Sequence, residues 1–173
     1  MIARWYQRKT QIYAERVAAG DIPARPGIRR LAGEADAAGW RLAVASRSPA
    51  AFVQTLFQHA VGSDRAARSQ IVAADIVGAK KPASDIYRAA LETLGADDGG
   101  LNSRSVIAVE DSAIGVRAAR GTGLRTLVTV SGYTVTGDFT GAALVVSSLG
   151  KPHVVDTVTL ADPFLLQLGP SLM

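Results

Sequence analysis

No cysteine occurs in the 173 residues, which excludes disulfide frameworks, thiolate metal sites and cysteine nucleophiles at the outset. Long apolar runs are missing too: nothing approaches the ~18 consecutive apolar residues of a membrane span. The opening stretch, MIARWYQRKTQIYAERV, has no apolar core of the kind that marks a secretory signal. A soluble, cytoplasmic protein with no membrane partner is the expectation. Charge is sparse, at 20% of residues against 48% hydrophobic. Disorder requires the reverse balance, low hydrophobicity with high net charge. The excess of 19 basic over 15 acidic residues leaves +4, spread from Arg4 to Lys151 with no run of five or more. Such an excess reads as a solvated surface, so no nucleic-acid partner is expected. The length suits one well-buried domain rather than two.

What is present is an alternation of textures. Residues 2–19 place Trp5, Tyr6, Ile12, Tyr13 and Val17 among charged neighbours at helical spacing, with Gly20 as a stop. Residues 21–27 (DIPARPG) form a linker with two prolines, and residues 28–38 read as a second amphipathic helix that Gly39 ends. Short apolar runs then alternate with helical stretches: 42–45 then 50–60, 71–74 then 84–94, and 106–109 then 113–120. Two further apolar runs occur at 126–130 and 143–146. Near-continuous apolar strands alternating with helices predict an α/β fold, a three-layer doubly wound parallel sheet buried on both faces. In such sheets ligands bind beyond the carboxyl ends of the strands. The last twenty residues, with Pro152, Pro163 and Pro170, read as an irregular tail with one apolar segment at 164–168.

The polar residues that come after each run are therefore the candidates. Ser46, Arg47, Ser48 and Pro49 come after the first, and Asp75 then Lys80-Lys81-Pro82 after the second. Glu110-Asp111-Ser112 come after the third. Each has a plain structural reading. Ser46 or Ser48 can cap the next helix with Pro49 at its first position. Lys81 can be a loop lysine before a helix that begins at Pro82. Glu110 and Asp111 can be favourable carboxylates at a helix start that Ser112 caps. Together, however, a hydroxyl, a cation and a carboxylate pair have complementary chemistry. Hydroxyl and backbone N–H groups hold phosphate oxygens, lysine neutralises them, and paired carboxylates suit Mg2+, which keeps part of its shell for water and substrate phosphate. Phosphoryl transfer is mostly positioning and charge neutralisation, and it needs these parts.

The segments AVASRSP, KKPASDIY and VIAVEDSAIGVRAA, in this order, resemble motifs two, three and four of the haloacid-dehalogenase (HAD) superfamily. They are most similar to its beta-phosphoglucomutase-like branch and, within that, to CbbY-type sugar-bisphosphate phosphatases. PARPGIRRL, the SGYT–DF region and the opening RKTQIYAERVAAG add to the likeness, which runs from about residue 4 to residue 150. The resemblance implies that Ser46, with the Arg47 backbone, holds the transferring phosphate, and that Lys81 is the catalytic cation with Lys80 its solvated neighbour. It implies Glu110 and Asp111 as Mg2+ ligands supported by Ser112, and a small phosphorylated sugar such as xylulose 1,5-bisphosphate as substrate. Residues 1–20 would be the last helix of a helical cap, 21–27 a hinge, 28–150 the HAD-like core and 151–173 a tail.

One part of the pattern has no counterpart. The family's nucleophile lies in a DxDGT motif ending the first strand, and no two aspartates of this sequence stand two positions apart. Asp97-Asp98 sit after a helix in a glycine-rich turn, and no apolar strand precedes residue 40. The expectation is thus a Mg2+-dependent sugar-phosphate phosphatase that lacks the first strand, the nucleophile and most of the cap, inactive as it stands. Its strands before Ser46 and Glu110 would then present unpaired inner edges. The alternative is a non-catalytic relic that binds phosphate or a partner; an in-frame DxDGT upstream of Met1 would distinguish the two. A generic nucleotide binder is disfavoured, because the sequence has no GxGxxG after a strand.

Overall fold

The apolar runs assemble into one sheet. The computed structural model describes residues 2–73, 78, 81–95, 101–150 and 171–172. Its strands are Arg41–Ala45 (β1), Gln70–Val72 (β2), Val106–Glu110 (β3), Arg125–Thr129 (β4), Leu144–Val146 (β5) and Ser171–Leu172 (β6). They lie in the order β2-β1-β6-β3-β4-β5, with every pair parallel. The helices are Ile2–Ala18 (α1), Ile28–Ala37 (α2), Ala50–Val61 (α3), Ser63–Arg68 (α4), Asp85–Gly95 (α5) and Ala113–Arg120 (α6). None of the helices among the described residues is long and apolar enough to cross a membrane.

Burial on both faces explains the continuous apolar strands. One face carries α5 and α6, where Ile86, Tyr87, Ala90 and Leu94 meet Ala43, Val106, Ala108 and Leu124. The other face carries α2, where Leu31 and Ala35 meet Ile107, Leu127, Val146 and Leu149. Alternate residues of β3 thus serve opposite cores, the period-two geometry of a strand. Gly27 starts α2 with φ +85°, and a Cβ there would stand 1.6 Å from the Leu149 carbonyl oxygen. Only glycine allows both that backbone and that approach. α1 packs against α3, with the Tyr13 and Phe52 rings 5.0 Å apart.

The structure adds one element to the sequence reading and departs from it at three places. The stretch SDRAAR forms a helix, α4, although it is too short and too polar to show amphipathic periodicity. Pro49, not a serine, occupies the cap position of α3, and no side chain bonds to that helix start. The largest change concerns the centre of the sheet. The sequence predicts bare inner edges on β1 and β3 and an irregular tail. Instead β6 pairs with both strands, Ser171 opposite Arg41 and Val106, Leu172 opposite Leu42 and Ile107. Open strand edges carry rows of unpaired N–H and C=O groups, and any extended segment within reach satisfies them. β2 ends at Val72, short of the expected strand end near Asp75. The expected apolar segment at 164–168, Asp75, Lys80 and the Asp97-Asp98 turn lie outside the described residues.

The registers align the carboxyl ends on one side. Ala45 pairs with Val72, Glu110 with Val128 and Thr129 with Val146. The residues that succeed β1 and β3 therefore meet at a common rim.

Candidate active site

A cavity of about 480 Å3 opens at that rim. Ser46, Arg47, Lys81, Glu110, Asp111 and Ser112 all line it. The residues singled out in the sequence thus converge, although they come from three separate stretches of chain.

Ser46 leaves β1 with its N–H still donated to the Val72 carbonyl at 2.9 Å, so the end of the strand ladder fixes its place. Its Oγ accepts the Ser48 N–H at 3.2 Å, a local turn that keeps the hydroxyl hydrogen for an outside acceptor. Arg47 is exposed at the mouth.

Glu110 ends β3 and is only 8% exposed. Its Oε1 accepts hydrogen bonds from the Lys81 ammonium and the Tyr87 hydroxyl. Its Oε2 lies 3.3 Å from the Asp111 N–H and 3.4 Å from the Ser112 hydroxyl. The buried charge is thus paired with Lys81 and supported by neutral donors, the condition under which such a pair is tolerated. Lys81 also donates to the Tyr87 oxygen at 3.3 Å and sits 4.7 Å from its ring centroid. Burial first, then the negative charge of Glu110 and its hydrogen bond, hold the Tyr87 hydroxyl far above the ordinary phenol range. Tyr87 is therefore a permanent donor to Glu110.

The start of α6 completes the frame. Ser112 caps it, its Oγ accepting the Gly115 N–H at 3.3 Å, as its place in the sequence suggests. Gly115 is required for a different reason: a Cβ there would fall on the Glu110 carboxyl group. The carboxylate rests directly on the first turn of the helix, which favours negative charge there.

Three contributors are not evident from the sequence pattern. Tyr87 and Gly115 stand inside KKPASDIY and VEDSAIG, but neither follows an apolar run directly. The available signal is Tyr87's position on the apolar stripe of its helix and a glycine three residues after a capping serine. Arg25 lies in a stretch that reads only as linker. Its guanidinium donates to the Thr129 carbonyl at 2.9 Å and to that of Val130, tying the linker to the end of β4 beside the cavity.

The donor set fits a hard divalent cation of low protein ligation. Oε1 of Glu110 is committed to Lys81 and Tyr87, its Oε2 meets the Asp111 N–H and the Ser112 hydroxyl, and the Asp111 side chain beside it is exposed. Among the described residues no group of three or more His, Asp or Glu side chains is placed to hold a metal. Mg2+ is the cation that accepts one or two carboxylates and takes its other ligands from water and phosphate.

A parallel sheet covered on both faces, with a hydroxyl, a lysine and a carboxylate pair around one cavity at its carboxyl rim, defines a class. The sequence profile of the haloacid dehalogenase-like hydrolases matches residues 3–123, and the chain belongs to that family. It is 44% identical over 145 residues to the plasmid-encoded protein CbbY of Cupriavidus necator, covering 83% of this chain and 55% of that protein. Among solved structures it is similar to CbbY from Rhodobacter sphaeroides in complex with phosphate, at 38% identity and a TM-score of 0.76, covering 87% of this chain and 65% of that one. It is also similar to a mutant of that CbbY in complex with xylulose-(1,5)bisphosphate, at 34% identity and a TM-score of 0.77, covering 97% and 68%. The chain spans 46% to 64% of the length of the curated relatives it matches.

Proposed function

We propose that this chain carries the phosphate- and metal-binding part of a Mg2+-dependent sugar-bisphosphate phosphatase. The convergence of Ser46, Lys81, Glu110 and Asp111 on one cavity carries this reading. That the similar CbbY structures hold phosphate and xylulose-(1,5)bisphosphate supports a phosphorylated sugar as the substrate class.

In this reading the Ser46 hydroxyl and the Arg47 N–H donate to phosphate oxygens at the end of β1. Lys81 neutralises negative charge while its bond to Glu110 holds it in place. Glu110 Oε2 and Asp111 would hold the cation, which when bound supplies charge neutralisation at the phosphate. Tyr87, Ser112 and Gly115 fix the Glu110 carboxylate. Buried positioning of this kind is the main protein contribution to phosphoryl transfer.

The sequence has no DxD pair, and in this reading Glu110 and Asp111 hold the cation. No residue of the proposed site remains to attack phosphorus, so residues 1–173 bind but do not turn over. The test is phosphate release from xylulose 1,5-bisphosphate by this chain, beside a version given an N-terminal strand, DxDGT and helical segment. The expected result is no turnover by the first and turnover by the second. A relic gives turnover by neither. Turnover by 1–173 that Glu110→Ala and Asp111→Ala abolish would mean that another carboxylate serves as nucleophile.

A further inference from the structure

The charges around the cavity do not cancel. Arg25, Arg47 and Lys81 line it on the positive side, Glu110 and Asp111 on the negative. Lys81 pairs with Glu110, whereas neither Arg25 nor Arg47 joins an ion pair among the described residues. The two arginines differ in how they are held. Arg47 is exposed, and its side chain makes no hydrogen bond among the described residues. Arg25 is half-buried, its Nη1 donating to the Thr129 carbonyl at 2.9 Å and its Nη2 to that of Val130. Those acceptors are neutral, so they fix the guanidinium without cancelling its charge, and they use only part of its fork of N–H donors. Much of the remaining lining is apolar, Ile28, Leu31 and Phe57 included. A half-buried charge in such a wall costs stability, and an anionic ligand relieves that cost.

We propose that Arg25 binds the second phosphate of a sugar bisphosphate whose first phosphate is held at Ser46, and so selects two phosphates over one. The inference rests on the phosphatase reading above and deepens it. Spacing supports it. Leu42 and Ile107 both pair with Leu172, and Glu110 pairs with Val128, so Ser46 and Thr129 stand at one level of the sheet. In the order β1-β6-β3-β4 three strand spacings separate them, roughly 14 Å. One phosphate cannot touch both ends of that span, but a sugar phosphorylated at both ends lies along it. Chemistry supports it as well. Guanidinium and phosphate form paired, charge-assisted hydrogen bonds, and a side chain already held in place loses little freedom on binding. Arg47, exposed and adjacent to Ser46, has neither the separation nor the hold.

The test is titration of the 173-residue chain, with Mg2+ present, by xylulose 1,5-bisphosphate and by xylulose 5-phosphate. The wild type is expected to bind the bisphosphate about tenfold tighter or more, the worth of a hydrogen bond between charged groups. Arg25→Gln should remove that preference. Arg25→Lys keeps the charge without the fork and should restore part of it. In the wild type itself, the Arg25 Nε–H resonance should move with the bisphosphate far more than with the monophosphate. A preference that survives Arg25→Gln, no preference in the wild type, or an Arg25 resonance that answers both ligands alike overturns the proposal. Where the Ser46 amide still responds to inorganic phosphate, those results leave the phosphatase reading standing. A Ser46 amide that answers no phosphate compound overturns both.

Discussion

The Tyr87 hydroxyl donates to the same Glu110 oxygen that the Lys81 ammonium holds. A residue from the core of one face thereby helps to hold the Glu110 carboxylate in place. Tyr87→Phe keeps the ring and removes a hydrogen bond to a charged acceptor, so a loss of about 1.5–3 kcal/mol is expected. Urea denaturation measures it. A loss below about 0.5 kcal/mol would mean that the bond contributes nothing.

The same contact gives an alkaline signature. Burial, then the charge of Glu110, raises the folded-state Tyr87 above its ordinary value of 10.0. Below that pH both folded and unfolded states carry the proton, and the full stability is present. As pH rises past it, the unfolded chain releases the proton and the folded one does not, so stability falls. Denaturation midpoints at pH 9 and 11 should show a steeper alkaline loss in the wild type than in Tyr87→Phe. Identical slopes would contradict the assignment.

Lys81 and Glu110 form a buried pair, their side chains 9% and 7% exposed. Lys81→Met or Glu110→Gln alone leaves the partner buried without its counter-charge and should cost about 3–5 kcal/mol. The double variant should cost clearly less than the sum of the two. Additivity in this double-mutant cycle would show that the pair is not coupled.

Gly115→Ala is expected to destabilise despite alanine's helical preference. The gain of about 1 kcal/mol in propensity is opposed by a methyl that falls on the Glu110 carboxylate. A net loss of about 1–3 kcal/mol is expected from such overpacking, and thermal unfolding reads its sign. Stabilisation by this substitution would show that the carboxylate lies elsewhere.

Much of this arrangement is legible in the residues. The apolar runs before Ser46, Glu110 and Val130 declare themselves because strands buried on both faces have no polar alternation to conceal them. The site residues are legible because each stands directly after such a run or in the loop beyond it. Short-range signals fail where tertiary context decides. Two residues, Ser171 and Leu172, carry no strand pattern, and only the open edges of β1 and β3 give them one. Pro49 displaces the expected serine cap because Ser46 is held to β2 and its hydroxyl serves Ser48. Tyr87 looks like core, and it is core; its second role depends on a carboxylate 23 positions away.

In the proposed function, Ser46 and Asp111 belong to one phosphate and metal site. Titration of inorganic phosphate into the 15N-labelled chain, with and without Mg2+, tests it directly. Two carboxylate oxygens hold Mg2+ weakly without phosphate, so the Ser46, Arg47 and Ser112 amide signals should move chiefly when both are present. Ser46→Ala should weaken the response, and Asp111→Ala should remove its dependence on Mg2+. Shifts centred elsewhere, or unaltered by either substitution, would contradict the account.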